Sequence, residues 1–163
     1  MTYRTLPALA LAMAAAAMLT APASAQVTRT KNNPDSIIAS TATVPPGTTL
    51  YFISGTTPSP PDPANPDDLG DTRAQTLSVL SKIQAQLQAL GLDMGDVVKM
   101  TVFLVGVPEN EGRMDSAAMN EVFRTFFGTA EQPNSPTRST IQIAALGRPN
   151  MYVEIEAIAA KAP

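Results

Sequence analysis

The chain has 163 residues, a formal net charge of −3, and no histidine, cysteine or tryptophan. These absences exclude thiolate nucleophiles, imidazole bases and the usual zinc sites, which are built from cysteine and histidine. Any catalysis has to use carboxylates, guanidinium or amino groups, hydroxyls or the backbone. The length suits one domain, and a hydrophobic content of 44% is enough for its core.

The first 25 residues have the pattern of a secretory signal peptide. Arg4 precedes an apolar run over residues 6–19, and residues 23–25 form a small-residue cleavage motif. The run is shorter than the roughly 20 residues that span a membrane, and Pro22 interrupts a helix before the cleavage motif. We therefore expect cleavage after Ala25 and a periplasmic or secreted protein.

Charge and cysteine content also bear on the partners of the mature chain. Loss of Arg4 with the leader changes the net charge from −3 to −4. This disfavours nucleic acids and anionic membranes as partners, because clustered Lys and Arg drive binding to both. An exported chain without cysteine has no disulfides, so core packing or oligomer contacts have to stabilise it.

The mature chain begins with a polar segment, residues 26–46, which contains three prolines and is interpreted as a loose N-terminal arm. A single domain is expected over residues 47–163. Aromatic and β-branched residues from Thr48 to Ser54 predict a strand buried on both faces. Five prolines within residues 56–70 prevent regular hydrogen bonding and predict a surface loop.

A first helix is predicted next, with Asp71 or Thr72 as its N-cap and Gly91 just beyond its C-terminus. Thr72 and Gln75 have the spacing of a capping box. The helix has an apolar face at three- and four-residue spacing, made of Leu77, Leu80, Ile83, Leu87 and Leu90.

The remaining segments predict a second helix and three more strands. Residues 96–107 are rich in β-branched residues and predict a central strand, and residues 114–127 return to helical spacing before Gly128. Two alternating strands, 138–145 and 151–160, are interpreted as a hairpin. The order β-α-β-α-β-β indicates an α+β fold.

Two kinds of charged side chain are candidates for chemistry. Arg138 begins a strand after a Pro-containing loop, where its two parallel N–H groups suit a carboxylate, although an exposed surface arginine is the alternative. Glu154 and Glu156 share one face of the last strand. One of them suits a structural role, such as an ion pair with Arg, and the other suits positioning water or transferring a proton. Ser54, Asn120 and Thr140 are weaker candidates, since each suits an ordinary hydrogen bond.

Several segments in succession resemble the Rid family, the reactive intermediate/imine deaminases also called the YjgF family. The similarity covers Leu50 to Ala160, and its most specific parts are the Arg-Ser and Glu-Ile-Glu-Ala motifs. The segments that carry it are Tyr51–Gly55, Asp96–Leu104, Met119–Phe123 with Phe126–Gly128, Pro136–Thr140 and Val153–Ala159.

The resemblance implies a chorismate-mutase-like α+β fold, a mixed sheet backed by two helices, in a homotrimer with clefts between subunits. It implies that Arg138 holds the substrate carboxylate and that Glu154 places the water that hydrolyses a 2-imino acid to a 2-keto acid and ammonia. The same pocket is lined by Ser54, Gly55, Asn120 and the backbone of Thr140. The reaction implied needs no metal or cofactor.

The leading hypothesis is therefore hydrolytic deamination of reactive 2-enamine or 2-imino acids. The alternative is a trimer in the periplasm that binds small carboxylates, or acts as a scaffold, without catalysis. The first hypothesis predicts that the protein binds such a ligand and converts it, whereas the carboxylate-binding alternative predicts binding without turnover.

Overall fold

The architecture comes from a computed structural model that describes residues 26–162. The predicted signal peptide lies outside these residues. The described part contains β1 (Thr28–Thr30), β2 (Thr41–Thr43), β3 (Thr49–Thr56), α1 (Thr72–Ala89), β4 (Val97–Val105), α2 (Ser116–Phe126), β5 (Thr137–Ile143) and β6 (Val153–Lys161). From β3 onward the order is the predicted β-α-β-α-β-β. Neither helix of the described part is both long enough and apolar enough to cross a membrane.

Four strands form one mixed sheet in the order β3-β6-β4-β5. β6 is antiparallel to β3 and to β4, whereas β4 and β5 are parallel. The expected hairpin of the last two strands is wrong, because β4 lies between them. Parallel strands need a crossover connection, which α2 supplies between β4 and β5. The loop after β5 then returns the chain to the middle of the sheet.

Both helices cover the same face of this sheet and create the core. The predicted α+β class with two helices on a mixed sheet is thus confirmed. The fully buried side chains include Val79, Leu80, Ile83 and Leu87 of α1, Met119 and Phe123 of α2, Met100, Val102 and Leu104 of β4, and Val153, Ile155 and Ala159 of β6.

The opposite face of the sheet has no helix over it in the described chain. Phe52 of β3 is 73% exposed, and Leu50 and Ile141 are 44% and 45% exposed. Within one chain the first strand is therefore buried on one face only, and not on both faces as predicted. β3 is an edge strand, and its side chains alternate between the core and this open face. The aromatic and β-branched composition indicated a strand but not its place in the sheet.

The start of α1 differs from the predicted capping box. Asp71 is the N-cap, and its Oδ1 accepts a hydrogen bond from the Ala74 N–H at 2.8 Å. Gln75 is fully buried instead. Its amide donates to the carbonyls of Gly70 and Asn150 and accepts from the Tyr152 N–H. Gln75 therefore joins the helix start to the segment that leads into β6.

The rest of α1 follows most of the predicted pattern. Leu80, Ile83 and Leu87 are buried as expected, but Leu77 and Leu90 are each 51% exposed. Val79 is buried with them, so the apolar face is rotated slightly from the predicted one. Beyond the helix, Gly91 has a φ of +72° and its N–H donates to the Gln88 carbonyl at 3.0 Å, as predicted for a C-terminal glycine.

The N-terminal segment, residues 26–46, is more ordered than the loose arm that its composition suggested. β1 and β2 pair antiparallel, from Thr28 opposite Thr43. The Arg29 guanidinium donates to the carbonyls of Gly95 and Val97, at 2.8 and 3.0 Å. These long-range hydrogen bonds attach the arm to the turn before β4, which local sequence patterns do not reveal.

Candidate functional site

Arg138 lies near the start of β5, with its side chain between the sheet and α2. It is paired in register with Met100, a core residue, so it lies on the face that the helices cover. Its Nη2 donates to Asn120 Oδ1 at 2.8 Å. Its guanidinium carbon lies 4.4 Å from the centre of the Phe123 ring. Its Nη1 donates to Met119 Sδ at 3.6 Å. An amide, a thioether and an aromatic ring therefore orient the guanidinium group.

The charge of Arg138 is not neutralised within the described chain. The ion pairs found among residues 26–162 involve other residues, and none includes Arg138. Its pKa is lowered to about 10, first because burial removes water from the cation and second because Arg124 repels it. The group is still protonated at neutral pH. A half-buried cation with no anionic partner is suited to bind an anion.

Thr140 follows Arg138 on the same face of β5, two residues along the strand. Its hydroxyl oxygen is buried and has no hydrogen-bond partner among the described residues. Buried hydroxyls are usually paired. Asn120, Arg138 and Thr140 together are called the arginine half-site below.

A second group lies at the other edge of the sheet, where β3 is irregular. Ile53 is opposite Ala157 and Thr56 is opposite Ile155, so Ser54 and Gly55 form a bulge. A Cβ atom on Gly55 would overlap the Glu154 carboxylate, with its Cδ only 2.9 Å away. Glycine at this position therefore lets the Glu154 carboxylate lie here, and a larger residue would displace it. Ser54, Gly55 and Glu154 are called the glutamate half-site.

Glu156, the other candidate carboxylate, lies opposite the bulge in the strand register, between the partners of Ile53 and Thr56. It is exposed, and it lines a pocket on the open face of the sheet with Ser54, Lys99 and Thr101. Both carboxylates therefore lie near the bulge, and Glu154 is the one beside Gly55.

The two half-sites lie on opposite faces of the sheet. Glu154 is opposite Phe103 on β4, one residue out of step with the buried pair Leu104 and Val153. Its side chain therefore faces away from the helices, whereas Arg138 faces them. The expectation that these residues lie on adjacent strands is wrong, since β4 separates β5 from β6. One ligand cannot contact both half-sites of the same chain.

Comparison with known proteins places this geometry in a family. A family model described as Endoribonuclease L-PSP matches residues 30–161. The chain belongs to the YjgF/Rid family. The resemblance found in the sequence is thereby confirmed, and so is the chorismate-mutase-like fold that it implied.

Individual YjgF/Rid proteins are similar over most of their own length. The chain is 34% identical to the 2-iminobutanoate/2-iminopropanoate deaminase of Salmonella typhimurium over 102 residues, which are 63% of this chain and 73% of the relative. Escherichia coli TdcF, solved with bound serine, is 34% identical with a TM-score of 0.55, over 72% of this chain and 84% of TdcF. The Rid protein YyfB of Yersinia pestis is 25% identical with a TM-score of 0.64, over 83% of this chain and 98% of YyfB.

Two neighbours of Arg138 were not identified from the YjgF/Rid motifs. They are Phe123 and Arg124, neither of which was predicted to line the pocket. Both lie one helical turn after Asn120, at three- and four-residue spacing. Helical spacing from Asn120, a predicted pocket residue, is the signal that could have indicated them.

Proposed function

We propose that this protein hydrolyses 2-imino acids, and the 2-enamines that tautomerise to them, to 2-keto acids and ammonia. The observation that carries the proposal is the half-buried Arg138 guanidinium, which has no carboxylate partner in the described chain. A substrate carboxylate supplies the missing anion. The name of the Salmonella typhimurium relative, an imine deaminase, supports the same reaction.

The assembled site is proposed to form between subunits of a homotrimer. The arginine half-site of one subunit meets the glutamate half-site of the next, because a single chain holds them on opposite faces of its sheet. Repeated contacts between unlike surfaces form a ring when the rotation from one subunit to the next closes, and a rotation of one third of a turn gives a trimer. The exposed Leu50, Phe52 and Ile141 on the open face support such an assembly, since burial of apolar surface stabilises it.

The chemistry follows from the two half-sites. Two N–H groups of Arg138 bind the substrate carboxylate and hold C2 of the imine in the cleft. Glu154 accepts a proton from a water molecule while the water oxygen bonds to C2 of the protonated imine and the C=N π electrons move to nitrogen, which gives a neutral tetrahedral aminoalcohol. Glu154 returns this proton to the nitrogen and the C–N bond breaks. The hydroxyl proton passes back to Glu154 as the C=O bond forms, and the 2-keto acid and ammonia leave. The imine carbon is already electrophilic, so these residues supply mainly position and base catalysis.

The proposal is tested with an imine generated in situ. An amino-acid oxidase supplies 2-iminobutanoate, and the rates of keto acid and ammonia formation are compared with and without the mature protein. Acceleration over the spontaneous hydrolysis is expected. If the folded assembly binds 2-oxobutyrate, seen as a rise in melting temperature, but does not accelerate hydrolysis, the non-catalytic carboxylate-binding alternative replaces this proposal.

Gly55→Ala tests the role of the Glu154 carboxylate. The added Cβ displaces the carboxylate from its position in the cleft, and we expect kcat/KM for imine hydrolysis to fall at least about tenfold. The matched control is Gly147→Ala, because a Cβ there meets nothing within 4 Å. Equal activity of the two folded variants would contradict the proposed place of Glu154.

Action outside the cytoplasm is a further part of the proposal. It rests on the charge at Arg4, the apolar run and the cleavage motif of residues 23–25. Expression of the full chain in a bacterial host is expected to give a periplasmic protein whose N-terminal residue is Gln26. Intact mass spectrometry of the fractionated cells checks this, and full-length protein in the cytoplasmic fraction would contradict it.

A further inference from the structure

A second arginine lies beside Arg138 and is not among the residues that the family motifs identified. We propose that the site prefers 2-imino and 2-keto acids that carry a second carboxylate, which Arg124 binds while Arg138 binds the first. This inference rests on the proposed function and specifies its substrate class.

One asparagine contacts both cations. Arg138 Nη2 donates to the side-chain Oδ1 of Asn120 at 2.8 Å. Arg124 Nη1 lies 3.5 Å from the backbone oxygen of the same residue, to which it donates a long hydrogen bond. The two guanidinium groups are therefore bridged by one residue, since Arg138 binds the side-chain oxygen of Asn120 and Arg124 binds its backbone oxygen.

Neither cation has an acidic partner in the part of the chain that the structure describes. Glu121, the acidic residue on the same helix, forms an ion pair with Arg73 on α1. Repulsion between Arg124 and Arg138 is strengthened by the partial burial of Arg138, and it contributes to the lowered pKa of Arg138. An anion that contacts both groups removes this repulsion.

The different exposure of the two arginines assigns the two carboxylates of the ligand. Arg138 is half-buried between β5 and α2, whereas Arg124 is exposed near the end of α2. The carboxylate next to the reacting carbon therefore lies at Arg138, and the side-chain carboxylate lies at Arg124, closer to solvent. An acid with one carboxylate leaves Arg124 without a partner. The gain from Arg124 is limited to about fivefold in affinity, because solvent screens an exposed ion pair.

The test compares two keto acids with the same five-carbon chain. Binding of 2-oxoglutarate and 2-oxopentanoate to the mature assembly is measured by calorimetry in wild type, Arg124→Gln and Lys31→Gln. Lys31→Gln is the control, because it removes the same charge from an exposed position in the arm. Wild type and Lys31→Gln are expected to bind 2-oxoglutarate about fivefold more tightly, and Arg124→Gln is expected to lose this preference.

Three results would overturn the inference. They are equal wild-type affinities for the two acids, a preference that persists in Arg124→Gln, and sulfate binding with the same dependence on Arg124, which would indicate attraction of any divalent anion. The readout is separate from catalysis. If the protein hydrolyses 2-iminobutanoate but binds both acids equally, the proposed function stands and this inference fails. If it prefers the dicarboxylate but hydrolyses no imine, the dicarboxylate preference stands and the proposed function fails.

Discussion

Replacement of Arg138 by alanine is expected to lower kcat/KM for imine hydrolysis at least about 100-fold. The substitution removes both N–H groups that hold the substrate carboxylate, and charge-assisted hydrogen bonds of this kind contribute roughly 1.5–3 kcal/mol each. Asn120 and Phe123 remain in place, but neither carries a positive charge. The coupled assay of keto acid formation, with wild type measured alongside, gives the ratio.

Folding of the Arg138 variant can be separated from its chemistry. The cation is half-buried and has no acidic partner in the described chain, so its removal relieves a desolvation cost. The same substitution also removes the contact between the guanidinium group and the Phe123 ring, so the two effects on stability oppose each other. We therefore expect little change in melting temperature and an unchanged oligomer. Arg138→Lys is the matched variant, because it keeps the charge without the planar pair of donors, and it should retain partial activity. Undiminished turnover in folded Arg138→Ala would remove the proposed function.

Mixed assemblies of two inactive variants are expected to recover about a quarter of the wild-type activity. One chain carries Arg138→Ala and the other Glu154→Gln, and each is inactive alone. In a ring that joins the arginine half-site of one subunit to the glutamate half-site of the next, a random equal mixture leaves about one contact in four intact. A site within one chain would recover nothing, since every chain has lost one of the two groups.

The mixture has to be assembled from unfolded or coexpressed chains, and native mass spectrometry establishes that mixed oligomers have formed. The control is a mixture of wild type with the double variant Arg138→Ala/Glu154→Gln. If sites lie between subunits, this mixture also has about one intact contact in four, whereas sites within chains would leave about half of the activity. Inactive mixed oligomers of the two single variants would contradict the intersubunit site.

The elements themselves were largely predictable, because hydrophobic spacing reports which face of a segment is buried. Leu80, Ile83 and Leu87 indicated α1, and Gly91 indicated its end. The run of β-branched residues in β4 predicted its central position, which the sheet order confirms. For the same reason the α+β class and the order of the elements along the chain from β3 to β6 could be predicted from the sequence.

Strand partners were not predictable in this way. The alternation of apolar and polar residues in β5 and β6 shows that each strand has two different faces, but it does not indicate which strand lies beside it. A nearby strand in the chain was the simplest partner, whereas β4 pairs with both. The exposure of Phe52 has the same origin, since an aromatic residue suits a strand at the edge as well as in the middle. The arm was also misjudged, because Arg29 is attached by contacts far along the chain.

The sequence by itself determined which groups are available for chemistry. Because histidine and cysteine are absent and the YjgF/Rid motifs are present, it indicated Arg138 and Glu154 as the candidate catalytic residues. Only the tertiary structure decided that these two groups face opposite sides of one sheet and that Arg124 lies beside Arg138. The physical reason is that strand order and register determine the face and neighbours of a side chain, and these depend on long-range packing.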